Sequence, residues 1–191
     1  HVQTLAGARN AIGAGIWSIA HSTALNDEMH KLMAQKGVWR AGTETPMGLA
    51  GHPVSQQAYQ RTVASLKNAY ENKVPLTFST DADYWVAGKT RGEVCLEFIK
   101  VWQDAGIPNA DTLRAMTSNG YKVSGTEKSR GPLAAGFFAD IIAVNGNPLE
   151  NLDVLKDVPF VMKNGLVFKR DGVMTPAAFF NGGPDNGWRI R

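Results

Sequence analysis

The sequence lacks several features that would restrict its class or its function at once. Its single cysteine, Cys95, cannot form an internal disulfide. No apolar run approaches the ~20 residues that a membrane helix needs. The 20 glycines and 9 prolines show no period, which excludes collagen-like and low-complexity chains. With 43% hydrophobic and 19% charged residues among 191, the chain predicts a folded protein with a sizeable core.

The charge is mildly basic and is not concentrated in any segment. The formal net charge is +3, the pI is near 9.0, and the 20 Lys and Arg residues are scattered. Nucleic-acid binding would need a basic stripe or a known module, so we expect no nucleic-acid partner and no membrane partner. Homo-oligomer formation stays open, and no segment indicates a compartment. Because the first residue is His1 and not Met, we expect a processed chain or a piece of a longer polypeptide.

Helix and strand patterns alternate over the first ~125 residues, which is typical of parallel βα units. The predicted strands are 16–21, 38–43 and 74–80, and the predicted helices are 4–14, 26–36, 56–72, 93–105 and one that begins at Asn109. From Gly131 the pattern changes to strands at 139–144, 160–163 and 166–169, with a hairpin turn at Asn164-Gly165. We therefore predict an α/β domain over 1–127, a small β domain over 128–170 and an irregular arm over 171–191.

No local catalytic motif is present, because HExxH, HxH, CxxC and GxSxG are all missing. The candidate site comes from topology instead. His21 ends the first predicted strand, Asp81 ends the third, and His1 lies one βα repeat before His21, so all three fall at the same rim of parallel strands. Two imidazoles and a carboxylate suit zinc or a similar divalent ion. We predict His1, His21 and Asp81 as metal ligands, and Asp81 also as the catalytic proton shuttle.

The remaining candidates have weaker support from the residues. We expect His30 to be exposed on the helix that Asn26 caps, and Cys95 to serve packing. His1 could instead chelate copper through its amine and imidazole in an oxidative enzyme, although that chemistry would be expected on an all-β scaffold.

Several segments resemble the amidohydrolase superfamily, in the imidazolonepropionase-like group that includes Xaa-Pro dipeptidases. The matching segments occur in the family's order and are 11–22 (AIGAGIWSIAHS), 25–28 (LNDE), 79–82 (STDA), 113–120 (LRAMTSNG) and 131–142 (GPLAAGFFADII). Each match is weak alone, and together they are specific. The departures are Ala20, Ser22 and Ser79, where the family has Glu, Gly and Gly.

The resemblance implies the C-terminal half of a (β/α)8 TIM-type barrel, strands five to eight, followed by part of a small β-sandwich domain. His1 matches the fifth-strand metal histidine, His21 the sixth-strand one and Asp81 the eighth-strand aspartate. It implies a zinc-dependent hydrolase, with one or two ions, of amide, peptide or cyclic-amide C–N bonds, a dipeptidase among the options.

The family's first-strand His-x-His and fourth-strand lysine are not in this sequence. We therefore expect the N-terminal half of the barrel as a partner, either a separate chain or a missing segment, without which this chain would be inactive. A small amide or peptide would be the substrate, contacted from loops 44–55 and 82–92 by candidates His52, Tyr84, Trp85 and Arg91. The alternative is a catalytically incomplete fragment or scaffold chain.

Overall fold

The structure is a computed structural model that describes residues 1–49, 53–82 and 86–177. It divides into two compact units, with the division between Gly125 and Thr126. The first unit contains strands β1 (Ser18–Ala20), β2 (Trp39–Gly42) and β3 (Leu76–Phe78). Its helices are α1 (Leu5–Gly13), α2 (Asp27–Lys36), α3 (Gln56–Glu71), α4 (Arg91–Glu97), α5 (Ile99–Asp104), α6 (Asn109–Met116) and α7 (Ser118–Val123).

The three strands of the first unit form a parallel sheet in the order β1-β2-β3. Ile19 pairs with Arg40, which pairs with Leu76, so these side chains share one face of the sheet. At the outer edge of β1, the Val2 N–H donates to the Ala20 carbonyl at 3.1 Å. The unit is therefore α/β with parallel strands joined through helices, as the sequence predicted.

Local sequence signals set the ends of the helices. The Asn26 side chain accepts a hydrogen bond from Met29 N at the start of α2, and Gly37 ends that helix with φ 66°. Thr90 and Glu93 form a reciprocal capping box at the start of α4. The Asn26 cap and the stop at Gly37 were predicted because they depend on neighbouring residues, whereas the helix predicted over 93–105 began three residues after the Thr90 cap.

The core of the first unit lies between the sheet and its helices. Its apolar side chains come from α1, α2, α3, α5, α6 and the strands β1 and β3, and the most buried include Ile12, Ile19, Met29, Met33, Leu66 and Trp102. Burying side chains of this size contributes roughly 1.5–3 kcal/mol each before the entropy cost of ordering them. This packed layer holds the strand ends, where the candidate site lies, in a fixed relation.

The strands predicted over 16–21, 74–80 and 139–144 are shorter in the structure, and one predicted helix is interrupted. The helix predicted over 93–105 is two helices, because Phe98 N bonds to Cys95 O and Val101 N to Phe98 O with i to i−3 spacing. The buried strand predicted over 16–21 is only Ser18–Ala20, and Trp17 is 57% exposed while its Nε1 donates to Val123 O.

The second unit contains a four-stranded antiparallel sheet, β4 (Ile141–Ala143), β5 (Phe160–Lys163), β6 (Leu166–Arg170) and β7 (Val173–Met174). The turn between β5 and β6 has Asn164 at φ 53° and Gly165 at φ 79°, which suits a two-residue hairpin. The sequence did not predict β7 or the short 3₁₀ helix Leu152–Lys156. Of the predicted arm, 178–191 lies outside the described residues. No helix in the described part of the chain is long and apolar enough to span a membrane.

Candidate metal centre

The three predicted ligands lie together at the carboxyl ends of the parallel strands. His21 directly follows β1, and Asp81 comes shortly after β3. His1 precedes Val2, whose N–H is bonded to the last residue of β1, so His1 is placed beside the end of that strand. Parallel strands bring their carboxyl ends to one edge, which explains how residues 80 positions apart in sequence can converge.

His21 contacts both of the other candidates. The His1 and His21 rings pack edge to face, with centroids 4.4 Å apart and planes at 73°. His21 Nε2 lies 3.4 Å from Asp81 Oδ2. The His21 side chain is 19% exposed and that of Asp81 59%, so the pair is open to small molecules on the Asp81 side.

The other nitrogen of His21 is already engaged by a third strand end. His21 Nδ1 and Thr43 Oγ1 are 2.9 Å apart, and Thr43 directly follows β2. This contact leaves Nε2 free to face Asp81. Thr43 was not among the predicted site residues, because nothing in a lone threonine after a strand marks it as a histidine partner.

The backbone adopts the left-handed conformation at both contact residues. His21 has φ 57° and Asp81 φ 48°, and residues other than Gly seldom take such angles. Strained backbone of this kind is often found at functional sites, where the surrounding structure holds a side chain in a required direction. His21 and Asp81 both have this conformation after β1 and β3, where their side chains meet.

The donor chemistry of these residues fits a zinc-like ion. Imidazole nitrogen and carboxylate oxygen are common zinc ligands, and two ligands of one tetrahedral ion at ~2.0–2.2 Å lie about 3.3 Å apart. The Nε2–Oδ2 distance of 3.4 Å is close to that separation. However, within the described residues no group of three or more His, Cys, Asp or Glu side chains is arranged to hold a metal. His1 is near His21, but the three side chains do not form a ready cage.

The loops that follow β2 and β3 enclose a cavity of about 240 Å³. Its walls include Pro46, Met47, Leu49 and Val86, and its rim carries the ion pair between Lys89 and Glu97 at 2.7 Å. Leu49 and Val86 also pack against Ala82, the residue after Asp81. The cavity wall is therefore continuous with the strand end that carries Asp81.

The prediction for His30 is wrong. It is fully buried between α2 and α3, with Nδ1 2.6 Å from Asn68 Oδ1. Burial lowers the pKa of His30, the Asn68 contact raises it, and the nearby Arg40 cation lowers it. The helical periodicity could not show this, because the partner Asn68 is 38 residues away.

The remaining candidates gain little from the structure. Cys95 is half-buried in α4, where its Sγ lies 3.3 Å from Thr80 Oγ1. Arg91 is exposed at the first position of α4. His52, Tyr84 and Trp85 lie outside the described residues.

Comparison with known proteins identifies relatives of this architecture. Ochratoxinase from Aspergillus niger is 28% identical over 186 residues, a match that covers 91% of this chain and 38% of the relative. The crystal structure of that ochratoxinase superposes with a TM-score of 0.72 and covers 91% of this chain and 41% of its own. A Xaa-Pro dipeptidase with bound methionine is 26% identical with a TM-score of 0.70, covering 86% of this chain and 42% of its own.

The chain thus spans about two fifths of the length of the relatives that it matches. The model of the amidohydrolase family matches residues 1–167, which is most of the sequence. The resemblance inferred from segments 11–22 and 131–142 is therefore confirmed, and the chain belongs to the amidohydrolase family.

Proposed function

We propose that this chain carries part of the active site of a metal-dependent hydrolase that cleaves amide or peptide C–N bonds. The observation that carries the proposal is the meeting of His21 Nε2 and Asp81 Oδ2 at 3.4 Å, with His1 against the His21 ring. Family membership supports it, since the similar proteins include an ochratoxinase and a Xaa-Pro dipeptidase. His1, His21 and Asp81 would hold the divalent ion.

A bound zinc or similar divalent ion, one or two per site, would supply Lewis acidity and make a water molecule acidic enough to react near neutral pH. The chain's own residues then have distinct tasks. The Asp81 carboxylate accepts a proton from the attacking water at Oδ2 and delivers it to the departing amine nitrogen. His21 keeps Nε2 directed at the same point, and its 19% exposure limits competition from bulk water.

We propose that the substrate is a small amide or peptide with an apolar group. The cavity of about 240 Å³ supports this, because Met47, Leu49 and Val86 give it an apolar side, and Leu49 and Val86 share a buried cluster with Ala82, the residue after Asp81. A group seated there would be flanked by loops that follow two of the strands, which is where parallel βα enzymes place their specificity contacts. Lys89 at the rim would lie near the polar end of the substrate.

We further propose that β1, β2 and β3 are strands six to eight of a (β/α)8 barrel, and that the remaining strands belong to an N-terminal half. The length of the relatives supports this. So does the first unit itself, because β1 is an edge strand and Ile16 and Trp17 beside it are 45% and 57% exposed. An apolar edge of this kind is suited to pairing with further strands.

The lack of a three-ligand group in the described residues favours a second possibility, a catalytically incomplete fragment or scaffold. Such a chain would hold zinc weakly and hydrolyse nothing. The two functions differ in a simple measurement, an intact-mass inventory of native material. A companion polypeptide supplying the N-terminal half favours the hydrolase, and a chain that is always found alone favours the scaffold.

The decisive test is reconstitution of the chain with an N-terminal half and an assay on small amides and dipeptides. We expect the Asp81→Asn variant to lose about 10²–10⁴-fold in kcat, since general acid–base catalysis contributes that much. Chelation should abolish activity, and added zinc should restore it.

Asp171→Asn is the matched control. Asp171 also has a left-handed backbone, with φ 50°, and Asn tolerates that conformation at both positions. Its variant removes the same charge from the second unit and should keep full activity. Full activity in Asp81→Asn would rule out the proton-shuttle role.

A further inference from the structure

We infer that Thr43 is a positioning residue that fixes the ring of His21 so that Nε2 faces Asp81. The inference rests on the proposed function, because it assigns Thr43 a task at the same site. It goes further by naming the residue that decides which imidazole nitrogen is offered to the ion and to the substrate.

One nitrogen of the His21 ring is hydrogen-bonded, and the other faces a carboxylate. His21 Nδ1 is 2.9 Å from Thr43 Oγ1, while Nε2 is 3.4 Å from Asp81 Oδ2. The three residues follow β1, β2 and β3 respectively, so the contact runs across the ends of all three strands. A rotation of the ring by half a turn about χ2 would break the Thr43 contact and turn Nδ1 away.

A hydroxyl suits this task because it both donates and accepts hydrogen bonds. When Nε2 carries the ring proton, Nδ1 is an acceptor and the Thr43 hydroxyl donates to it. When Nε2 is the ligand of an ion, Nδ1 carries the ring proton and donates a hydrogen bond to the Thr43 hydroxyl oxygen. Partners of this kind fix the tautomer and orientation of a ligating histidine. The same contact therefore serves the site before and after an ion binds.

Thr43 itself is held by its neighbours in sequence. Glu44 folds back over Gly42, and a Cβ added to Gly42 would lie only 1.7 Å from Glu44 Oε1. The Glu44 carboxylate reaches Arg40, with Oε1 2.9 Å from Nη1, and both side chains are 1% exposed. Glu44, the residue after Thr43, thus contacts two residues of β2 that precede Thr43, Arg40 and Gly42. This leaves the Thr43 hydroxyl little freedom to move away from His21.

The test follows the His21 ring directly in the full chain by ¹⁵N NMR, with the His21→Asn variant used to identify its signals. Thr43→Val removes the hydroxyl at nearly constant shape, and Thr43→Ser keeps it. Thr45→Val is the matched control, because the described residues give the Thr45 hydroxyl no hydrogen-bond partner and it lies in the same loop.

We expect Thr43→Val to shift the Nδ1 signal of His21, while Thr43→Ser and Thr45→Val keep the original signal. Zinc titrated into the same samples should bind about 10–100-fold more weakly to Thr43→Val than to the unchanged chain, with affinity recovered in Thr43→Ser. An unchanged ring signal in Thr43→Val would overturn the inference.

The two readouts separate the inference from the proposed function. If the unchanged chain binds no zinc even with an N-terminal half, the hydrolase proposal fails, while the ring signals still decide whether Thr43 orients His21. If zinc binds and Thr43→Val binds it equally well, the positioning role is refuted and the hydrolase proposal stands.

Discussion

Breaking the buried ion pair between Arg40 and Glu44 should destabilise the chain more than any single surface change. Both side chains are 1% exposed, and Arg40 Nη1 lies 2.9 Å from Glu44 Oε1 without the geometry of a hydrogen bond. Burial lowers the pKa of the Arg40 guanidinium, and the Glu44 carboxylate opposes that shift. Each charge is therefore held in an apolar layer mainly by the other one.

The magnitude follows from what a single substitution leaves behind. Glu44→Leu leaves the buried Arg40 cation without its counter-charge, which lowers the free energy of unfolding by about 3–5 kcal/mol. That is a large part of the ~5–15 kcal/mol by which a domain is stable. The double variant Arg40→Met/Glu44→Leu removes both charges. Because the pair lacks full hydrogen bonding, we expect the free energy of unfolding of this variant to equal that of the unchanged chain or to exceed it by about 1–4 kcal/mol.

The assay is urea unfolding followed by circular dichroism, applied to both single variants and the double variant. Glu28→Leu is the control, because Glu28 pairs with Arg9 at 2.6 Å on the surface, and such a pair contributes about 0–1 kcal/mol. If the decreases in the free energy of unfolding of the two single variants simply add in the double variant, Arg40 and Glu44 do not stabilise each other, and the prediction is refuted.

Further predictions concern stability elsewhere in the first unit. Burial lowers the pKa of His30 below its ordinary value of 6.5, so the unfolded chain takes up that proton at a higher pH than the folded chain does. The free energy of unfolding should therefore fall below pH 6.5, and fall less in His30→Gln, as measured by urea unfolding on either side of that pH. Thr90→Ala should cost about 1 kcal/mol through loss of the α4 capping box, with Thr90→Ser close to unchanged in thermal unfolding. Leu66→Ala should cost about 2–5 kcal/mol in the same assay, because it opens a cavity in the core.

Features set by neighbouring residues could be predicted from the sequence. The cap at Asn26, the stop at Gly37 and the turn at Asn164-Gly165 all depend on contacts within a few positions, and the structure contains each of them. The placement of His21 and Asp81 at one rim came from a general rule about parallel strands. The assignment of metal and catalytic roles to them stays a prediction.

Features set by distant residues could not be predicted. His30 is buried because Asn68 of α3 meets it, and no periodicity within α2 reports that partner. The same holds for the contact between His21 and Thr43, which joins two strand ends. The break at Phe98 was missed because the flanking helices have good helical sequences, and only the i to i−3 bonds show the interruption.

The ring contact between His1 and His21 has a practical consequence for anyone who purifies this protein. Their centroids are 4.4 Å apart, so whatever is fused ahead of the first residue begins beside the candidate centre. A polyhistidine tag at that end would place additional imidazoles near the candidate centre. These imidazoles would bind zinc themselves and imitate zinc binding by His1, His21 and Asp81. Such a tag therefore has to be removed before zinc is added, so that no extra nitrogen remains next to His21.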